Sequence, residues 1–230
     1  MKRRWIMTQE WRDVLFLHWP ISAEDLREHI PSELKIDLYD NKAWIGFVFF
    51  QVKGNRPRLA PPFPGLSSYL ELNVRTYVSY KGKSGVFFFS LDADNPVIVK
   101  LATLGNFLPY RQANIQLQKR NNIFSISSKV SNANSITETL ITSFEPMPEI
   151  IEGTLLEQWL TERYCLWTKI NNDLYRVDIW HAPWKLQNVK GDIVENSMAP
   201  IIKVDYQKNI PIAHYSKRKK VRTYLPIKEK

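Results

Sequence analysis

Tyr69-Leu70-Glu71-Leu72-Asn73-Val74-Arg75-Thr76-Tyr77-Val78 decides more about the fold than any other stretch of this 230-residue chain. Side chains of an extended strand alternate between its two faces, so Leu70, Leu72, Val74 and Val78 share one face and Glu71, Asn73, Arg75 and Tyr77 the other. The apolar face is core. The polar face is either wetted by solvent or turned toward an interior cavity lined by a carboxylate, an amide, a guanidinium and a phenol. The cavity arrangement carries chemistry, because Arg75 can grip a carboxylate while Glu71 exchanges a proton. The architectural alternative is a Glu71–Arg75 ion pair that satisfies two buried charges and does nothing else.

Working outward, residues 43–52 (Ala-Trp-Ile-Gly-Phe-Val-Phe-Phe-Gln-Val) are aromatic and β-branched enough to predict a buried strand. Residues 53–68 hold Arg56-Pro57-Arg58 and Pro61-Pro62-Phe63-Pro64-Gly65 and predict a long ordered loop, since proline lacks a ladder donor. That loop offers Arg56 and Arg58 to the mouth of a cavity. Lys81-Gly82-Lys83-Ser84-Gly85 predicts a hairpin into a strand over residues 86–91. Upstream, residues 14–19 predict a strand ended by Pro20, and Ser22 with Asp25 opens a short helix that stops at Pro31.

Downstream, Asp94 or Asn95 caps a helix with Pro96 at its first position, running to about residue 107. Residues 111–146 predict a β meander with turns at Asn121-Asn122 and at residues 132–134. Thr154 with Glu157 forms a capping-box pattern ahead of a stripe of Leu155, Leu156, Trp159, Leu160 and Tyr164, with Cys165 as a buried thiol on that helix. Strands return over residues 174–180, 201–206 and 221–227. The sum is a mainly β, α+β chain: one domain over residues 1–230, built on a large antiparallel sheet or barrel with about three short helices. Trp44, Trp159 and Trp180 are expected in its core.

The formal net charge of +9 sits at the ends, with +3 over residues 1–12 and +6 over residues 217–230, so residues 13–216 balance to zero. The aromatics fall in strands and do not interleave with this charge, which argues against a nucleic-acid partner. A single cysteine excludes an internal disulfide and predicts a reducing, cytoplasmic setting. No segment has the roughly 18–20 apolar residues of a membrane span, and no signal-peptide core follows the basic start. His18, His29, His181 and His214 lack metal-ligand spacing, and no phosphate-cradling or nucleophile-elbow pattern is present, so neither metal nor cofactor is expected. His181, ahead of Pro183-Trp184, either contributes to a site or only terminates its strand, and the second reading is favoured.

The run Glu-Leu-Asn-Val-Arg-Thr-Tyr-Val closely resembles the signature strand of the YqjF-like family of uncharacterised bacterial proteins (domain of unknown function 2071). Leu17-His18-Trp19-Pro20, Ala43-Trp44-Ile45-Gly46, Arg56-Pro57-Arg58 before Pro64-Gly65-Leu66-Ser67, Phe88-Phe89-Ser90-Leu91-Asp92, Leu108-Pro109-Tyr110-Arg111, His181-Ala182-Pro183-Trp184 and His214-Tyr215-Ser216 extend the resemblance over nearly the whole chain. It implies the β-barrel of the acetoacetate decarboxylase-like superfamily, whose namesake forms a Schiff base through a lysine with a neighbouring cation. Against that enzyme's Pro-Lys-Lys, the nearest match is Gly105-Asn106-Phe107-Leu108-Pro109-Tyr110-Arg111, which puts Tyr110 at the Schiff-base position and Arg111 at the cation's. A phenol makes no imine, so the decarboxylase mechanism does not come with the fold. Lys100, on an otherwise apolar stripe, is the remaining amine to consider, with its stem packed and its ammonium in water as the default.

The resemblance implies Glu71 as the acid/base carboxylate. Beside it stand Asn73 as a polar ligand-binding group, Arg75 and Arg111 as carboxylate clamps and Tyr77 and Tyr110 as hydrogen-bond donors. The expected partner is a small organic, keto-acid-like molecule, bound either by an enzyme or by a non-catalytic sensing module on the same barrel. Assembly into a homo-oligomer stays open.

Overall fold

The computed structural model describes residues 4–104, 107–131 and 137–229; the turn expected at residues 132–134 and the Gly105-Asn106 pair lie outside them. In chain order the strands are β1 (Trp5–Ile21), β2 (Lys35–Ile36), β3 (Ala43–Pro57), β4 (Tyr69–Tyr80), β5 (Lys83–Ala93), β6 (Tyr110–Gln112) and β7 (Asn114–Arg120). They continue as β8 (Ile123–Ser131), β9 (Thr137–Ile151), β10 (Cys165–Ile170), β11 (Asp173–Trp180), β12 (Leu186–Asn196), β13 (Ile212–Tyr224) and β14 (Ile227–Lys228). Among the described residues three short α-helices accompany them: α1 (Ala23–Arg27), α2 (Pro96–Ala102) and α3 (Leu155–Thr161).

All the strands belong to one sheet, ordered β14-β11-β10-β5-β4-β3-β1-β13-β12-β9-β8-β7. β13 lies against β1 along most of its length and also meets β11 at Ile179↔Thr223 and Trp180↔Arg222. The pairings β1-β3-β4-β5-β10-β11-β13 therefore return on themselves, and β12, β9, β8 and β7 extend outward from β13. The expectation of a purely antiparallel sheet is corrected: β10 runs parallel to β5, and so does β6. A long excursion separates β5 from β10, which lets the chain return in either direction. Alternation along a strand says nothing about which way its neighbour runs.

The helix signals are realised in their caps. Ser22 Oγ accepts from Asp25 N, Asn95 caps α2 with Pro96 in its first turn, and Thr154 and Glu157 form both halves of a capping box. α2 ends at Ala102, earlier than expected. α3 stops at Thr161, so Tyr164 falls outside it and Cys165 begins a strand. Side chains take over its last carbonyls: Arg163 Nε donates to Trp159 O at 2.6 Å and Trp184 Nε1 to Thr161 O at 2.9 Å.

Three further expectations change. β1 continues through Pro20, and β3 runs on to Pro57 before the loop begins. Residues 201–206 form turns leading into a 3-10 segment instead of a strand; the chain reverses at Ala199, whose φ is 55°. Tyr206 then reaches the core against Trp19 and Phe47. Trp44 is buried as expected, whereas Trp159 is half-buried and Trp180 is 46% exposed.

The apolar face of β4 (Leu72, Val74, Val78) joins the main core with Leu15, Leu17, Phe47 and Phe49. The basic chain end is built into β13, which exposes Lys217, Arg218 and Lys220 and buries Lys219. Among the described residues, no helix is long and apolar enough to cross a membrane.

Candidate functional site

The polar face of β4 is buried as thoroughly as the apolar one: Glu71 is 4% exposed, Asn73 4%, Arg75 8% and Tyr77 0%. β3 and β5 flank β4 on either side, and this face looks inward from the closed cycle of strands. Glu71, Asn73 and Arg75 line a cavity of about 250 Å³ whose walls include Trp11, Phe50, Phe88 and Trp184. The solvated alternative is thereby removed.

Glu71 has its carboxyl pushed up to about 8, first by burial and further by Asp92, against the opposing pull of hydrogen bonds from Tyr110 and Asn73. At neutral pH it therefore holds a proton. Tyr110 donates to Glu71 Oε2 at 3.1 Å, and the parallel pairing of Leu91 with Tyr110 holds the phenol there. Burial and the neighbouring carboxyl push the Tyr110 phenol well above its ordinary range, so it acts as a donor. Tyr69, hydrogen-bonded to Tyr110 and likewise shifted upward by burial, completes a short polar chain.

Arg75 leans away from Glu71. Its guanidinium stands 5.8 Å from the Tyr77 ring, and Nη2 donates to Leu160 O at 3.4 Å, while Nε is buried without a partner. Among the described residues no carboxylate pairs with it, so the Glu71–Arg75 ion pair does not form. Asn73 Oδ1 is also buried and unpartnered. Tyr77 lies beyond the cavity lining, packed on Trp159 at 4.9 Å with its hydroxyl buried and unpartnered.

Arg111 takes a different position from the one expected of a ligand clamp. Neighbouring residues of a strand face opposite ways, and Arg111 points away from the cavity that Tyr110 enters. Its Nε and Nη2 meet the two oxygens of Asp92 at 2.7 and 3.0 Å, and Nη1 and Nη2 meet those of Glu138 at 2.6 and 3.1 Å. Burial disfavours its charge, but these two carboxylates outweigh burial and hold it protonated. Arg56 and Arg58 also stay out of the lining: Arg56 donates to Ala60 O, and Arg58 stacks on Trp5 at 5.3 Å. Lys100 is exposed.

Residues absent from the sequence-based set complete the cavity. Arg163 lines it, donates from Nη1 to Asp37 Oδ2 at 2.6 Å, covers the Tyr77 ring at 4.9 Å and keeps Nη2 buried without a partner. Its partner is 126 residues away, a separation that local pattern does not encode. His181 both follows the end of β11 and lines the cavity, stacked on Tyr164 at 4.6 Å, with burial lowering its pKa. The aromatic Pro183-Trp184 segment beside it was the available signal. No lysine lines this cavity among the described residues, and none of their His, Cys, Asp and Glu side chains form a group of three or more able to hold a metal ion.

Residues 8–220 match the family model DUF2071, described as an uncharacterized conserved protein. The chain is 40% identical over 227 residues to the "Uncharacterized protein YqjF" of Bacillus subtilis (strain 168), covering 98% of this chain and 93% of that one. Among solved structures it is similar to an acetoacetate decarboxylase of Legionella pneumophila, with a TM-score of 0.70 and 13% identity over 98% of this chain and 87% of the other. It is also similar to the enduracididine biosynthesis enzyme MppR complexed with pyruvate, with a TM-score of 0.65 and 9% identity over 99% and 91% of the two chains. At these identities the two structures bear on fold alone.

Proposed function

The chain belongs to the DUF2071 family, and from that premise and the cavity geometry we propose that it binds an organic acid inside the closed cycle of strands, with Glu71 exchanging a proton with the ligand. We read that cycle as a barrel. The observation that carries the proposal is Arg75, a buried guanidinium opening on the cavity with no carboxylate of the described chain beside it. Removing a charge from water is costly unless a counter-charge meets it, and a ligand carboxylate supplies one.

Because Tyr110 donates to Oε2, the proton of neutral Glu71 belongs on Oε1, from which it can pass to a carbonyl oxygen or an enolate carbon. Above its shifted pKa the same group accepts a proton. Asn73, between Glu71 and Arg75 along β4, offers its unpartnered amide oxygen to the middle of the ligand. No imine is part of this chemistry: Tyr110 stands where the resemblance places the Schiff-base lysine, and the described lining contains no other amine. The pyruvate bound by MppR makes a keto acid the first ligand to try.

The test is deuterium exchange at the carbon next to the carbonyl in a series of keto acids, from pyruvate to acids such as 7-oxooctanoate whose carbonyl is remote from the carboxylate, followed by NMR in D2O. Exchange should accelerate from pH 7 to 9 with a midpoint near the value of about 8 for Glu71, and Glu71→Gln should abolish it while retaining affinity. Exchange that survives this substitution refutes the assignment. Arg75-dependent binding without any exchange would instead establish a non-catalytic binding module. A borohydride-trapped lysine adduct would overturn the imine-free chemistry.

A further inference from the structure

The two polar ends of the cavity belong to different packing clusters. Glu71 and Tyr110 sit with Phe50 and Tyr69, whereas the Arg75 guanidinium lies against Tyr77 and Leu160, which pack with Trp44 and Val86. Along β4 the two Cα atoms are four positions apart, about 13 Å at a rise of about 3.3 Å per residue, and the Arg75 guanidinium lies toward Tyr77, two positions further on. A four-carbon acid is on the order of 5 Å long, given C–C bonds of about 1.5 Å. It can occupy one end but does not reach both. Most of the lining between the ends is apolar, with Val48, Phe88, Leu91 and Trp184 around the polar Asn73.

Charge sets a second limit. Arg163 is paired with Asp37, so among the described lining residues Arg75 is the arginine without a carboxylate. Leu160 of α3 closes the Arg75 end, whereas Ile6 and Pro226, both exposed, line the rim.

We infer that the ligand is an amphipathic monocarboxylate of six or more carbons, linear or aryl-terminated. It enters carboxylate first to Arg75, its apolar body runs along the aromatic wall, and its far end lies near Glu71 and Tyr110. This rests on the organic-acid reading above and narrows it.

The probes are sodium acetate, butanoate, hexanoate, octanoate and decanoate, with pyruvate as the short keto acid and octan-1-ol as the uncharged control. Binding to the full chain is followed by calorimetry and by the fluorescence of Trp11 and Trp184. Affinity should rise about fourfold per added methylene from butanoate upward, following the burial of each CH2, and level off once the cavity is filled. Octan-1-ol should bind at least tenfold more weakly than octanoate, and Arg75→Gln should bring octanoate down to the level of the alcohol. The length series on the unmodified protein decides the matter even if that variant fails to fold. Acetate, butanoate or pyruvate binding as tightly as octanoate overturns the length inference and leaves the organic-acid reading standing. Binding by none of the carboxylates overturns both.

Discussion

Glu71→Gln should make the protein more resistant to alkaline conditions, and the size of the effect follows from the buried carboxyl. Glu71 is 4% exposed and its pKa is raised from 4.5 to about 8, chiefly by burial. In the unfolded chain the group ionises near 4.5; in the folded chain it keeps its proton to about 8. Between these values the native state binds the extra proton, so stability falls as pH rises. The contribution is fully present below pH 4.5 and lost as pH passes through 8. At about 1.36 kcal/mol per unit, the loss between pH 5 and pH 8 is about 4 kcal/mol. Glutamine is nearly isosteric, its oxygen can still accept from Tyr110, and it does not titrate. Urea unfolding at pH 5, 6, 7, 8 and 9 should give a difference, variant minus parent, that grows by that amount up to pH 8 and then flattens. With a slope of roughly 2–3 kcal/mol per molar urea, the variant's midpoint should gain about 1.5–2 M relative to the parent. All other titrations cancel in the difference. Parallel curves would show that Glu71 is ionised in the folded protein, and the proton-donor role at neutral pH would fall with them.

Arg111→Ala should cost about 3–5 kcal/mol in urea unfolding at pH 7 by leaving Asp92 and Glu138 as uncompensated buried carboxylates, and the cost should shrink in acid as Asp92, whose carboxyl is raised by burial, takes up a proton. The same variant, where folded, should bind ligand as the parent does, because Arg111 faces away from the cavity; a tenfold loss would return it to the site. Gly46→Ala should destabilise by about 1–3 kcal/mol, since an added Cβ would meet His18 Cδ2 at 2.9 Å and the Tyr77 hydroxyl at 3.0 Å. Cys165, 1% exposed and pushed up to about 11 by burial, should resist aromatic disulfide reagents at pH 8 until denaturant is added.

The central strand was readable because its signal is local. Alternation placed Glu71, Asn73, Arg75 and Tyr77 on one face, and the capping side chains of Ser22, Asn95 and Thr154 are chemistry contained within a few residues. What alternation does not specify is the far side of each face, and here both are buried. Arg111 shows the limit most clearly. Its identity and its place beside Tyr110 suggested a clamp, yet Asp92 and Glu138, brought up by β5 and β9, claim all three of its nitrogens. The stripe running on to Tyr164 was misleading in the same way, because α3 is stopped by Arg163 and Trp184 reaching its last carbonyls. Parallel pairing of β5 with β10 and the 126-residue link from Arg163 to Asp37 are long-range facts with no trace in local pattern.

The charges divide accordingly into two populations with different consequences. The whole of the +9 lies on the chain ends, where Lys217, Arg218 and Lys220 point to solvent from β13 and Arg218 is paired with Glu10; such pairs contribute little. Inside, Arg111 has two carboxylates and Arg163 has one. Lys219 is satisfied instead by the carbonyls of Ala182 and Pro183 and lies over the Trp184 ring. Arg75 has one long carbonyl contact and a buried Nε with nothing to bond. A protein that compensates these interior charges and leaves one uncompensated beside a cavity has a stability deficit that an incoming anion removes. On that argument ligand binding should raise thermal stability through Arg75, and the free protein carries the cost of that uncompensated charge in its own folding free energy.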